Sequence, residues 1–194
     1  MIIGITGGTG CGKTTALKTI EELGGIVMDC DAIYHQLLKT DASLLNAIGS
    51  RFPGVVEDGQ LQRKKLGAIV FNAPAALLDL NAITHAAIKA EVERRRADSP
   101  ALAAIDAIEL FDSGLADLCD FTVAIVAPLE DRVRRLMKRD NISEGYARAR
   151  IAAQKDEAWF RTKCDYVLEN NGNFDAFATT CIDFFRSCCI MEHE

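Results

Sequence analysis

An eight-residue segment near the start of the chain contains the residues with the clearest chemistry. Residues 7–14 read GGTGCGKT and match the pattern G-x-x-x-x-G-K-[ST] at every fixed position. In such a segment the backbone N–H groups surround a phosphate, the lysine reaches its outer oxygens, and the hydroxyl ligates Mg²⁺. Lys13 and Thr14 stand at the two positions that do this. The segment therefore predicts a site for a nucleoside triphosphate.

Two carboxylates offer a second kind of chemistry. Asp29 and Asp31 follow the apolar residues 26–28. A carboxylate close to a triphosphate is repelled by it, which indicates a function for such a group. It accepts the proton of an attacking hydroxyl or holds a water on Mg²⁺. The alternative, equally open on spacing alone, is that Asp31 caps the helix predicted to follow.

Basic residues are concentrated in the second half of the chain. Ten of the twenty-two Lys and Arg residues lie within positions 132–163. In a net acidic chain this predicts a lid that closes over phosphates, although most of the ten belong to solvated helix faces. Arg135 and Arg139 share one helix face, and Arg139 lies at the helix end, from which it would point inward. His85 lies on an apolar helix face, where a histidine is either a buried structural group or a substrate contact.

Alternating strands and helices must position these residues. Apolar runs predict strands at 1–6, 26–29, 101–107, 121–126 and 165–168. Helical spacing covers 15–23, 32–50, 74–96, 130–139, 144–156 and 173–189. This alternation predicts a parallel sheet with helices on both faces and ligands at the carboxyl ends of the strands. The strand that ends at Asp29 is expected to lie beside the first strand, which leads into the phosphate-binding segment 7–14.

Composition narrows the class of protein. The 194 residues suffice for one core with a small insertion or lid, and the net charge of −6 argues against a general nucleic-acid binder. No apolar stretch approaches the ~20 residues of a membrane span, and the N-terminus does not resemble a signal peptide. We expect a cytoplasmic protein, a monomer or small homo-oligomer, with no nucleic-acid or membrane partner.

The cysteines indicate a reducing compartment. There are seven, an odd number without C-x-x-C spacing, so neither a zinc site nor a disulfide framework is expected. Cys11 is the exception among thiols expected to be mostly buried. Its position beside a helix N-terminus predicts a stabilised thiolate that is sensitive to oxidation.

One short motif has to be discounted. Residues 162–165 match the T-K-x-D form of a guanine-reading motif, but no Asp in the chain is followed by Gly three residues later. A GTPase needs that D-x-x-G sequence as well. Its absence and the acid pair at 29 and 31 count against a nucleotide-dependent switch.

The chain resembles the dephospho-CoA kinases from residue 2 to about residue 185. The similarity lies in segments 4–15, 24–31, 58–63, 66–67, 70–71, 80–81, 111–115, 136–140, 150–154 and 165–172, and at His85. It implies an α/β three-layer P-loop NTPase fold with a parallel five-stranded sheet. The implied core is 1–31, 97–128 and 164–194, with a helical CoA-binding insertion at 32–96 and a helical lid at 129–163.

The resemblance also implies an activity and the residues that serve it. The family uses ATP and Mg²⁺ to phosphorylate the ribose 3′-hydroxyl of dephospho-CoA; another P-loop small-molecule or nucleoside kinase is the alternative. The implied catalytic residues are Asp31, Lys13 and Arg139, and Thr14 is the implied metal ligand. The implied nucleotide site is Gly8, Thr9, Gly10, Cys11, Gly12, Lys13, Thr14, Thr15 and Asn171. The implied acceptor site is Asp29, His35, Arg63, Phe71, Asn81 and His85.

The sequence departs from the family pattern at several positions. Cys11 replaces a serine, and Ala86 follows His85 where a proline is usual. Ile108 and Glu109 stand where Pro-Leu is common, which leaves the role of Glu109 open. Residues 155–160 stand where the family has a Pro-Arg-containing run at the end of the lid.

Overall fold

The computed structural model describes residues 1–97 and 101–191. Its strands are β1 (Ile2–Thr6), β2 (Ile26–Asp29), β3 (Val56–Glu57), β4 (Gln60–Leu61), β5 (Ala103–Asp106), β6 (Phe121–Val126) and β7 (Tyr166–Glu169). Five of them form a parallel sheet in the order β2-β5-β1-β6-β7, and β3 and β4 form a separate antiparallel hairpin. The predicted α/β fold with a five-stranded parallel sheet is confirmed.

The prediction that β2 lies beside β1 is wrong. β5, not β2, pairs with β1 on this side, with Ile2 opposite Ala103, and β2 pairs with the far edge of β5. The residues of β5 from Ala103 to Ile105 are fully buried, as a central strand requires, whereas Ile26 and Val27 of β2 are only partly buried. The more deeply buried strand therefore lies beside β1, although it comes later in the chain.

The helices are α1 (Lys13–Glu22), α2 (Cys30–Thr40), α3 (Ala42–Arg51), α4 (Arg63–Val70), α5 (Pro74–Ala97), α6 (Leu129–Asp140), α7 (Glu144–Ala152), α8 (Glu157–Lys163) and α9 (Phe174–Met191), with a 3₁₀ turn at Ala116–Leu118. The single helix predicted over 32–50 is two helices. Asp41 separates them, because its carboxylate accepts hydrogen bonds from the N–H groups of Ser43 and Leu44 and so caps α3. The helix predicted over 144–156 likewise ends at Ala152, and Asp156 caps α8.

Helices cover both faces of the sheet. On one face, Ile3, Ile5 and Ala104 form a core with α1 and α9. On the other face, Ile105 and Met28 form a core with α2, α3, α4 and α5. Alternate residues of each strand thus enter different cores, as the period of two along a strand requires.

Two further groups of elements extend from the carboxyl end of the sheet. The insertion between β2 and β5 consists of α2 to α5 and the hairpin, with α5 packed against α2, α3 and α4. After β6, helices α6 and α7 pack through a small apolar cluster and through Arg148, which forms a two-pronged ion pair with Glu130. The predicted division into core, insertion and lid stays a prediction, and residues 98–100 and 192–194 of the predicted core lie outside the described residues.

None of the helices in the described ranges has the length and apolar character needed to cross a membrane.

Candidate active site

The loop between β1 and α1 has a backbone that only glycine adopts readily. Gly7, Gly10 and Gly12 have φ values of 140°, 78° and 104°. A Cβ on Gly12 would lie 2.3 Å from Asn170 Nδ2, so a side chain is excluded there by contact as well as by conformation. α1 begins at Lys13 directly after the loop. The positive end of that helix therefore faces the space that the loop encloses.

Side chains from distant elements bind the carbonyl groups of the loop. Arg132 Nε donates to Thr9 O at 2.9 Å, Arg135 Nη1 to Gly10 O at 3.2 Å, and Asn170 Nδ2 to Cys11 O at 2.9 Å. In a trans peptide the N–H points opposite to the C=O. Holding the carbonyls of Thr9 and Cys11 outward therefore turns the N–H groups of Gly10 and Gly12 inward, as an anion site requires.

A cavity of about 870 Å³ lies over this loop. Its lining includes residues 8–14, two acids (Asp31 and Asp106) and four basic residues of the 129–163 segment (Arg135, Lys138, Arg139 and Arg150). Lys13 Nζ donates to Gly7 O at 3.0 Å, which holds the amine against the loop. We call this space the phosphate cavity.

The two predicted acids have different surroundings. The Asp29 carboxylate accepts from Ala32 N at 2.9 Å and is the cap of α2. Asp31, in the first turn of α2, is exposed and lines the phosphate cavity. Of the two interpretations that the sequence left open for Asp31, the helix cap is thus excluded, because Asp29 caps the helix.

Asp106 is a third acid at this edge of the sheet. It ends β5, pairs in register with Asp29, and lines the phosphate cavity. Burial raises the pKa of Asp106 to about 6; the charge of Lys13 opposes this rise, and the neighbouring carboxylates of Asp29 and Asp31 add to it. Asp106 was not predicted as a site residue, although an apolar strand that ends in an acid is a signal that could have found it.

A second cavity of about 390 Å³ lies on the other side of Asp31. Asn81 and His85 of α5 line it together with Asp31 and Glu109. His85 Nε2 and Glu109 Oε2 are 3.0 Å apart, with His85 19% and Glu109 54% exposed. The hydrogen bond from His85 lowers the pKa of Glu109. The structure therefore brings three predicted site residues together, and we call this space the acceptor cavity.

The other predicted acceptor residues lie in an adjoining depression. His35, Arg63 and Phe71 line a space of about 220 Å³ that shares Tyr34 and Leu80 with the acceptor cavity. Arg63 Nη2 lies 3.3 Å from His35 Nδ1, and Phe71 is 83% exposed. These residues are near one another but are not in the space that Asp31 lines.

Arg135 and Arg139, the two arginines predicted to act from the lid, make different contacts. Arg135 contacts the loop, and its Nη2 also donates to Asn170 Oδ1 at 3.1 Å. Arg139 lines the phosphate cavity but forms a two-pronged ion pair with its neighbour Asp140, at 2.7 and 2.9 Å. The two donating nitrogens of the partly buried Arg135 therefore hold it against the loop. Arg139 would have to leave Asp140 to reach a phosphate.

Three predicted nucleotide contacts have other surroundings. Asn171 is exposed and donates to Glu169 Oε2 at 2.7 Å, while the preceding Asn170 is buried against the loop. Thr15 is only half-buried and donates its N–H to Gly12 O. The thiolate predicted for Cys11 is wrong: the side chain is 1% exposed, and burial raises the pKa of Cys11 against the opposing charges of Lys13 and Arg132.

The oxygen donors of the phosphate cavity suit Mg²⁺. The Thr14 hydroxyl and the carboxylates of Asp31 and Asp106 line one space with the phosphate-binding loop. In the described part of the chain, no cluster of three or more His, Cys, Asp or Glu side chains could hold a metal on its own. Mg²⁺ is commonly held by one or two protein oxygens together with water and substrate phosphates, so this donor set fits it.

Comparison with known proteins identifies the family. The sequence profile described as "Dephospho-CoA kinase" matches residues 1–176. The chain belongs to the dephospho-CoA kinase family. It is 37% identical over 180 residues to the dephospho-CoA kinase of Corynebacterium diphtheriae, which covers 90% of each chain. The chain is therefore a kinase, a phosphotransferase, and the family catalyses the final step of coenzyme A biosynthesis.

Solved structures agree with this placement. The dephospho-CoA kinase of Campylobacter jejuni has a TM-score of 0.69 and 25% identity, with 96% of each chain covered. The shikimate kinase of Bacteroides thetaiotaomicron has a TM-score of 0.58 at 16% identity, covering 97% of this chain and 98% of that one. The second likeness shows the fold alone.

Proposed function

We propose that this chain transfers the γ-phosphoryl group of ATP to the ribose 3′-hydroxyl of dephospho-CoA, giving CoA and ADP. The observation that supports the proposal most strongly is the position of Asp31. It lines both the phosphate cavity and the acceptor cavity. A carboxylate at such a junction lies between a bound triphosphate and a bound alcohol, where a general base has to be.

The transfer forms one bond and breaks another. The ribose 3′ oxygen attacks the γ-phosphorus, and the bond from that phosphorus to the oxygen bridging the β and γ positions breaks. Asp31 takes the hydroxyl proton. Lys13 and the inward N–H groups of Gly10 and Gly12 hold the outer phosphates of the nucleotide, and the other residues of the 8–15 segment, Thr15 included, shape the loop around them. Arg139 leaves Asp140 and stabilises the charge on the transferring group, with Arg135 keeping the loop in shape.

Mg²⁺ fits this scheme through Thr14. Its hydroxyl would hold the ion, and the ion would neutralise charge on the β- and γ-phosphates. Asp106, whose pKa is raised by burial to about 6, lines the same cavity, where its carboxylate would accept a hydrogen bond from water. Asn171 would lie on the adenine side of the nucleotide, as the resemblance to the family implies.

The acceptor would extend from one cavity into the next. We assign Asn81 and His85 to the sugar end, because they share a cavity with Asp31. Arg63 supplies the positive charge that the pyrophosphate of dephospho-CoA needs, and Phe71 and His35 lie beside it. Asp29 serves by fixing the first turn of α2. The cytoplasmic location, the oligomeric state and the absence of a nucleic-acid partner stay predictions.

A panel of acceptors tests the proposal. ADP release is measured with dephospho-CoA, nucleoside monophosphates, shikimate or gluconate, each with MgATP. We expect a large increase with dephospho-CoA alone. Lys13→Ala serves as a control against a contaminating kinase and should lose at least about a hundredfold in turnover. Phosphorylation of another acceptor, with only background ATP hydrolysis in the presence of dephospho-CoA, would refute the assignment.

A further inference from the structure

Arg132, in the first turn of α6, reaches the phosphate-binding loop from behind. Its Nε donates to Thr9 O at 2.9 Å, and the residue does not line the phosphate cavity. A Cβ on Gly8 would lie 2.2 Å from Arg132 Nη2, and one on Gly10 would lie 2.9 Å from the carbonyl oxygen of Arg132. The absence of a side chain at positions 8 and 10 therefore makes room for Arg132.

The position of Arg132 is an unfavourable one for a cation. The side chain is half-buried, and burial lowers the pKa of the guanidinium. Its Nη2 is the single buried side-chain nitrogen or oxygen without a hydrogen-bond partner in residues 1–97 and 101–191. Burying such a group without a partner destabilises a fold. Packing alone would be served better by an apolar side chain of similar length.

The neighbouring arginine on the same helix shows the ordinary arrangement. Arg134 is 77% exposed and pairs with Asp131 one turn earlier. Such a surface pair contributes little to stability and carries no strained contact. Arg132 differs in that its charge is directed at the loop.

The loop residue that Arg132 contacts is held from two sides. Thr9 N donates to Gln154 Oε1 at 2.7 Å, while Thr9 O accepts from Arg132. Both partners belong to the 129–163 segment, which the resemblance to the family assigns to the lid. The orientation of the peptide groups around Thr9 therefore depends on that segment and not on the loop alone.

We propose that Arg132 is a positioning residue for the nucleotide, which orients the Gly8–Gly10 backbone and places positive charge behind it at the expense of folded stability. This inference rests on the proposed binding of ATP at the loop. A buried charge close to the inward N–H groups strengthens their attraction for the phosphates, since little water screens it. Removing the charge should weaken nucleotide binding and leave the fold as stable as before or more stable.

The test substitutes Arg132 by Met, which is nearly as long and is apolar. Calorimetric titration gives the Kd for MgATP and for ADP, and urea unfolding gives the stability. We expect the Kd for MgATP to rise at least about tenfold, the loss of one hydrogen bond from a charged group, with the urea midpoint unchanged or higher. Arg132→Lys keeps the charge but loses the Nε contact. Its Kd for MgATP should lie between those of the wild type and Arg132→Met. Arg134→Met is the matched control and should change neither quantity.

Each remaining outcome contradicts the inference. An unchanged Kd in Arg132→Met means that the arginine does not support the nucleotide. A lower urea midpoint together with a higher Kd in Arg132→Met means that the residue has a structural role only. If Arg132→Met does not fold, a wild-type Kd in Arg132→Lys, together with a lowered midpoint, overturns the inference in the same way. Failure of the wild-type chain itself to bind MgATP would instead contradict the proposed function.

Discussion

Asp29 and Asp31 are two positions apart in the chain, and the local backbone determines what each can do. The carboxylate of Asp29 is bound to the N–H of Ala32 at the start of α2. That contact satisfies the helix terminus and leaves Asp31 directed at the two cavities. A capping residue and a candidate base thus come from one short segment, and the first supports the second.

Replacing Asp31 by Asn should slow phosphoryl transfer by at least about a hundredfold, because general-base contributions are of that order. The Kd for MgATP should stay within about threefold of wild type, since the P-loop contacts remain and only a nearby repulsive charge is lost. Single-turnover transfer and calorimetric titration measure the two effects. Asp58→Asn, at the exposed turn of the β3–β4 hairpin, is the control. An unaltered transfer rate in Asp31→Asn would leave Asp31 without a catalytic role.

Asp106 gives a prediction about pH. Its pKa is raised to about 6 in the folded chain, so the folded state holds its proton more tightly than the unfolded state. Stability is therefore lost as pH rises from about 4 to about 7, and Asp106→Asn should escape this loss. We expect the unfolding free energy of Asp106→Asn relative to wild type to increase by up to about 3 kcal/mol across that range. Urea unfolding in EDTA measures it, and a difference that does not vary with pH would contradict the raised pKa.

Residue identity predicted the loop chemistry but not its surroundings. The spacing of Gly12, Lys13 and Thr14 is a local property, and the structure places all three at the same cavity. The acidity of Cys11 depends on burial by distant elements, which no local pattern records, and the predicted thiolate was wrong. The contacts of Arg132 and Asn170 with the loop join residues more than 120 positions apart, so sequence spacing could not reveal them.

At the scale of elements, the sequence predicted which segments form strands more reliably than how they are arranged. β6 and β2 have the predicted bounds because continuous apolar runs between polar ends define them. The order of the sheet depends on which strands are buried at its centre. The position beside β1 that was expected for β2 is occupied by β5. The division of 30–51 into α2 and α3 followed from one capping residue, Asp41, within a pattern that was helical throughout.

The two capping aspartates provide a matched experiment. Asp29 caps α2 and Asp41 caps α3, and each carboxylate accepts hydrogen bonding from backbone N–H of its helix. Each Ala variant should lose about 1 kcal/mol of unfolding free energy. Only Asp29→Ala should also lower turnover, by several-fold, because it loosens the turn that carries Asp31. Urea unfolding and steady-state assays measure both; an equal loss of turnover in Asp41→Ala would show that the effect is merely one of stability.

For the whole molecule, the arrangement of three parts around one carboxylate matters most. The loop after β1 and the 129–163 segment form the phosphate cavity, and the insertion between β2 and β5 forms most of the acceptor cavity. The parts are far apart in the chain, so their convergence is a property of the parallel sheet, whose strand ends lie at one edge. The fold class followed from the alternation of strands and helices, whereas the joining of the cavities at Asp31 required the three-dimensional structure.

This arrangement makes a direct transfer between two bound substrates the central claim. Initial rates are measured while MgATP and dephospho-CoA are both varied, and ATP–ADP exchange is followed without the acceptor. We predict double-reciprocal lines that intersect and no exchange until dephospho-CoA is added, since both cavities must be filled before the phosphoryl group moves. Parallel lines, together with exchange in the absence of acceptor, would show a phosphorylated enzyme and contradict the role of Asp31 as the base between two substrates.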